Sequence, residues 1–388
     1  MSAVGSRMQL PTADGWSPIE LNAARDWAKH PEPYRQRVAF AAAHVVADPW
    51  AENVPGAPAV IDWESTLAFR RGLFEYGFGV AEAMDTAQRN MGLDWLTAQK
   101  LIARSAVQAK EFGARIASGA GTDHLLAGAT LEDVTNGYLE QVAFVESTGS
   151  QVIVMASRHL AAIATSSDDY ERVYGTILSQ VSSPVILHWL GEAFDPQLAG
   201  YWGSADVAAA TDTFVRLVEA YAARIDGVKV SLLSAEHEIA LRRRLPAGIR
   251  MYTGDDFNYP ELIRGDAGHH SDALLGAFAA IAPAASAALA ALDAGNVRRY
   301  EEEFAPTLAL SRHIFEAPTF YYKTGVAFLS WLNGHQPGFT MVGGLQSSRS
   351  ILHLSTLFSL ANDARLLVDP DLAAHRLAVL FEANGVTR

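Results

Sequence analysis

Between residues 37 and 295 the chain repeats one unit: a short apolar run of strand length, then a longer stretch with apolar residues at helical spacing. The strand candidates are Arg37–Val46, Phe78–Met84, Ala114–Ser118, Gln151–Ala156, Val185–Trp189, Gly227–Ser231, Arg250–Thr253 and Ala267–His269. Helix candidates lie between them, among them Trp63–Tyr76, Asp94–Phe112, Leu131–Ser147, Asp168–Val181, Ala205–Ala223 and Ala235–Arg244. Two open with clear caps, Thr130-Leu-Glu-Asp and Ser234-Ala-Glu-His. A strand followed by a helix must return to the same edge to pair again, so regular alternation implies parallel strands with helices outside. Eight repeats suit closure into a (β/α)₈ barrel.

The repeat is flanked on both sides. Residues 1–34 read as an N-terminal extension rich in proline, with one short helix expected over Ser17–Lys29 because Ser-Pro-Ile-Glu resembles a capped start. Residues 35–295 form the barrel. Residues 296–388 read as a C-terminal helical region, with helices over Val297–Phe315, Phe320–Leu332, Leu345–Asn362 and Leu372–Asn384. The uncharged stretch Ala273–Leu292 is mostly alanine and contains Pro283, which points to a buried barrel helix and not a membrane span.

Composition narrows the function classes. A net charge of −13 disfavours nucleic acid or an anionic membrane as the main partner, since both need a basic face. With no cysteine, disulfides and thiolate-held metals are excluded. The first residues lack a signal-peptide pattern, so a cytoplasmic protein with a small-molecule substrate is expected.

Lys229 is the residue that most invites a chemical reading. In Asp226-Gly-Val-Lys-Val-Ser231 the side chains alternate, so Val228 and Val230 share one face and Gly227, Lys229 and Ser231 the other. The branched pair suits packing on the outer helices, which puts Lys229 inside, near the C-terminal end of the sixth strand, where barrel active sites are built. Desolvation there lowers a lysine's pKa and frees a neutral amine to attack carbonyls. The other four lysines, Lys29, Lys100, Lys110 and Lys323, sit in helical contexts. A structural ion pair with Asp255 or Asp256 is the competing reading of Lys229.

Gly227-Val-Lys-Val, Met251-Tyr-Thr-Gly-Asp-Asp256 and Leu262-Ile-Arg-Gly-Asp-Ala-Gly268, running on to Asp293-Ala-Gly-Asn, together resemble the dihydrodipicolinate synthase / N-acetylneuraminate lyase family of class I aldolases. Pro184-Val-Ile-Leu-His188 is similar to that family's fifth strand, and Lys323 falls where the family has a lysine in its C-terminal helices. The resemblance implies a (β/α)₈ barrel with a C-terminal helical domain, a Schiff-base lysine at Lys229, a homo-oligomer and no cofactor. It also implies that His188 stands where the family has a proton-shuttling tyrosine. The family's carboxylate-gripping Gly-Thr-Thr-Gly-Glu is replaced by Ala83-Met-Asp-Thr-Ala-Gln88, leaving Asp85 and Thr86 as substrate-binding candidates; an aspartate there repels a carboxylate.

Other polar residues follow strand ends. His188 suits acid–base work near neutrality. Arg158, Asp255, Asp256 and His269 are candidates for binding the substrate, a small oxo-acid or keto-sugar. The alternative function class is a metal-dependent sugar isomerase, epimerase or lyase, with His188, Glu236, His237, Asp256 and His269 as a mixed nitrogen–oxygen ring for a divalent metal.

Overall fold

The computed structural model describes residues 7–266 and 268–387. A two-stranded antiparallel hairpin, β1 (Arg7–Thr12) and β2 (Gly15–Glu20), comes first. Eight parallel strands then close into a barrel: β3 (Ala39–Ala42), β4 (Gly79–Glu82), β5 (Ile116–Ala120), β6 (Gln151–Val154), β7 (Val185–Leu190), β8 (Ile225–Ser231), β9 (Arg250–Thr253) and β10 (Asp272–Leu275). The helices α1 (Trp63–Glu75), α2 (Trp95–Phe112), α3 (Leu131–Ser147), α4 (Arg158–Ile163), α5 (Ser167–Gln180), α6 (Val207–Ala220), α7 (Ala235–Arg242), α8 (Tyr259–Arg264) and α9 (Ala277–Asp293) are interleaved with them. Four more close the chain: α10 (Val297–Ile314), α11 (Tyr322–Leu332), α12 (Ile351–Asp363) and α13 (Pro370–Ala383). The protein is therefore a (β/α)₈ barrel with C-terminal helices. Among the described residues no helix is long and apolar enough to cross a membrane.

The alternation of side chains explains why closure works. Phe40, Ala81, Met84, Ile153, Ile186 and Leu274 fill the interior. Their neighbours one residue along, such as Val80, Val154, Leu187, Val228 and Val230, face the helices. Closure is made by β10 against β3, with Leu274 in register with Phe40. Asp272 fastens that seam: its Oδ1 accepts from the Val38 backbone N–H at 2.7 Å and its Oδ2 accepts from Arg250 at 2.9 Å.

Both predicted caps form. Thr130 and Asp133 make a reciprocal capping box, and Ser234 Oγ accepts from the His237 N–H. Two expectations are corrected. Ser17–Lys29 is not a helix: Gly15–Glu20 is a strand, and the chain beyond it is extended and tied to the C-terminal helices, with Asn22 and Asn362 bonded to each other at 2.8 and 3.0 Å. The proline at position 18 has no N–H to give a ladder, and an edge strand tolerates that. The eighth barrel strand is Asp272–Leu275 and not Ala267–His269. Of the expected run, Ala267 lies outside the described residues, and Gly268 and His269 are in an exposed turn. The true strand is a short apolar run fused to an alanine-rich helix, so its period was hidden in the helix that follows.

Candidate active site

Lys229 is the only lysine on a barrel strand, and it points inward as the alternation requires. It is 5 % exposed and, among the described residues, makes neither a hydrogen bond nor an ion pair through its amine. Its register partners are His188 on β7 and Tyr252 on β9, so the three side chains stand side by side on the inner wall. Gly254, just past β9, leaves room for it: a Cβ there would lie 2.1 Å from Ser231 Oγ and 2.9 Å from Lys229 Cε. Burial lowers the Lys229 pKa, an effect opposed by the carboxylates of Asp85 and Asp256.

His188 faces inward with Ile186, while Trp189 between its neighbours packs outward. Its Nε2 lies 3.3 Å from Ser231 Oγ. Burial, reinforced by the Lys229 charge, holds its pKa well below the ordinary value, so His188 is a neutral imidazole at pH 7 and able to take a proton.

The adjacent acids have different jobs. Asp255 is structural: its carboxylate accepts from the backbone N–H groups of Phe257 and Asn258 and from the Asn258 amide, fixing the turn into α8. Those three bonds commit its carboxylate to the turn. Asp256 is 3 % exposed, accepts from the Ala277 N–H at 2.8 Å, and interacts electrostatically with Lys229. Burial pushes its pKa up.

The opposite wall joins distant parts of the chain. After β4 a single 3₁₀ turn, Asp85–Ala87, presents Asp85 and Thr86. Tyr322, from the first turn of α11, donates to Asp85 Oδ2 at 2.6 Å and is also bonded to the Thr86 hydroxyl. Burial first, then the Asp85 charge, keeps its phenol protonated. The sequence places Tyr322 only within the helix expected over Phe320–Leu332; its contact with Asp85 needs the C-terminal helices to fold back over the barrel, which no local pattern in the sequence reports. A small pocket of about 30 Å³ opens here, lined in part by Asp85, His188, Phe194, Tyr322, Arg158 and Lys323. Arg158 donates through Nε to Asp195 at 2.6 Å.

The remaining sequence candidates do not join this group. His269 is exposed in the turn before β10, with Gln36, Arg37 and Arg264, at the opposite end of the barrel. Glu236 is exposed in the first turn of α7. His237 packs behind β7, edge-on to outward-facing Trp189 and 2.9 Å from the Thr211 hydroxyl. The five-residue metal ring is therefore dispersed among the barrel interior, the outer helix layer and the far end. Three potential metal-ligating side chains, His313, Glu316 and His353, do lie together, but where the end of α10 meets the start of α12.

The fold is similar to that of several solved structures. Dihydrodipicolinate synthase from Aquifex aeolicus superposes with a TM-score of 0.65 at 14% identity, covering 86% of this chain and 99% of that one. YagE of E. coli K12, a prophage protein of the dihydrodipicolinic acid synthase family solved with pyruvate, gives 0.62 at 14%, covering 90% and 99%. The chloride-inhibited dihydrodipicolinate synthase from Acinetobacter baumannii, also complexed with pyruvate, gives 0.62 at 17%, covering 85% and 99%. No curated protein matches the sequence. The fold is thus that of the dihydrodipicolinate synthase structures, and by sequence, over residues 8–386, the chain belongs to the family described as protein of unknown function (DUF993).

Proposed function

We propose that this protein is a Schiff-base-forming lyase of the aldolase kind, acting on a small oxo-acid or keto-sugar. The observation that carries the reading is Lys229: an unpaired, buried amine on the C-terminal half of β8, in register with a neutral histidine. A structural lysine at such a depth would be held by a carboxylate within bonding reach.

The neutral Lys229 amine adds to the substrate carbonyl carbon, and His188 takes the proton that nitrogen sheds. The carbinolamine hydroxyl leaves as water after protonation, giving an iminium. That cation draws in the electron pair of a neighbouring bond, so a C–C bond breaks or a proton departs. Asp85 and Asp256, which already favour positive charge at Lys229, stabilise the iminium. Protonation of the resulting enamine at carbon restores the iminium, and its hydrolysis frees the product and the amine. The similar structures of YagE and of the Acinetobacter baumannii synthase, both solved with pyruvate, support a carbonyl substrate.

Borohydride reduction with a panel of keto acids and keto-sugars tests this by intact mass. The expected result is an irreversible adduct on the wild type and none on Lys229→Met. Absence of any adduct, or equal adducts on both proteins, would refute the mechanism.

A further inference from the structure

Lys323, beside Tyr322 in the first turn of α11, is 1 % exposed, and among the described residues its ammonium has no carboxylate partner. Its one acceptor is the Met91 thioether sulfur at 3.0 Å, a weak acceptor for a full charge. It lies 6.0 Å from the Phe320 ring centroid and 5.4 Å from that of Tyr322. Arg158 approaches the same Phe320 ring at 5.9 Å. Its Nε is spent on Asp195 and its Nη1 reaches the Asn90 carbonyl at 3.4 Å, while Nη2 is bonded to nothing among the described residues. Both cations line the cavity that His188 and Asp85 line.

A buried ammonium without an anion is costly unless something in the working state neutralises it. Asp85 and Asp256 act on Lys229, which does not itself line the pocket. On the pocket wall Arg158 is bonded to Asp195, while Lys323 feels Asp85 and Asp195 only at a distance and is bonded to neither. Asp85 thus acts on both lysines.

We infer that Lys323 and Arg158 form an anion subsite, so the substrate is an oxo compound whose negative group, a carboxylate or a phosphate, is remote from its carbonyl. This rests on the Schiff-base reading for the carbonyl end only. An α-keto-acid carboxylate would sit against Asp85; a distal anion meets the Lys323 ammonium and the open Nη2 of Arg158 instead.

The test separates the two ends. Binding of inorganic phosphate and of succinate is measured by calorimetry at pH 7 on the wild type, Lys229→Met, Lys323→Met and Arg158→Leu. Wild type and Lys229→Met should bind one of the probes alike, whereas Lys323→Met should bind it at least tenfold more weakly and Arg158→Leu severalfold more weakly. Preference for phosphate or for succinate names the source of the anion. Methionine matches the buried stem of lysine; Lys323→Gln replaces it if that variant does not fold. Equal binding by wild type and Lys323→Met, or no binding by the wild type, overturns the subsite. Borohydride trapping on the same proteins reports on the carbonyl end independently: phosphate binding without any adduct would sink the Schiff base and leave the anion subsite standing.

Discussion

Two sets of buried charge sit within one barrel and are treated oppositely. Between the barrel and its helices, Arg70 and Glu82 form a bidentate pair at 2.7 and 2.8 Å, with neither side chain exposed. Further bonds complete the pair: Ser105 and the Ala83 N–H donate to Glu82, and Arg70 donates to the carbonyls of His44 and Thr66. Inside the mouth, Lys229 and Lys323 are as deeply buried and have no ionic partner. A completed network fixes a conformation, whereas an uncompleted one is held ready for a ligand.

That contrast predicts opposite consequences for neutralising each set. Lys229→Met should lower turnover at least about a thousandfold while leaving the thermal midpoint unchanged or higher, because it removes an amine whose charged form burial disfavours. His188→Ala should lower kcat by about 10²–10⁴-fold and still permit borohydride trapping, since it moves protons and forms no bond. Glu82→Ala should behave in the reverse way: about 3–5 kcal/mol less stable in urea unfolding, from the stranded Arg70, with trapping per folded molecule unchanged.

A smaller effect lies in the pH dependence. Burial, with Arg158 adding to it and Asp85 and Asp195 opposing, lowers Lys323 from 10.5 to about 8. Below about 8 both the folded and the unfolded chain carry this proton, and the penalty for burying the charge is complete. Between the folded and unfolded values the unfolded chain binds more protons, so stability rises with pH. Lys323→Met should therefore be more stable than the wild type at pH 7, its advantage shrinking from pH 8 toward 10.5; a pH-independent difference would contradict the unpaired placement of the amine. Least of all, Asp255→Ala should cost about 1 kcal/mol through the lost turn contacts and leave the affinity for an anion as it was.

What was readable in the sequence follows the range of the forces involved. Strand alternation is local, so the inward orientation of Lys229 could be derived from Val228 and Val230 alone. His188 shares a face with Ile186 and Leu190, an all-apolar context whose period does not tell inside from outside, and only Trp189 packing on α6 and α7 resolves it. Asp255 and Asp256 are neighbours of one type, and their division of labour comes from the backbone turn that uses up Asp255. Asp272–Leu275 was lost because a strand of four residues cannot outweigh the helical pattern adjoining it. Tyr322 and Asp85 are 237 positions apart, and their contact is a product of tertiary packing.

The same long reach sets a timetable for synthesis. Translation delivers Lys229 well before Tyr322 and Lys323, which complete the far wall, leave the ribosome. A growing chain with all eight strands already made would still expose the amine of Lys229 through a mouth lacking one side. Lys229 is thus enclosed only near the end of translation, and a chain that terminates prematurely after β10 would leave its amine uncovered on that side.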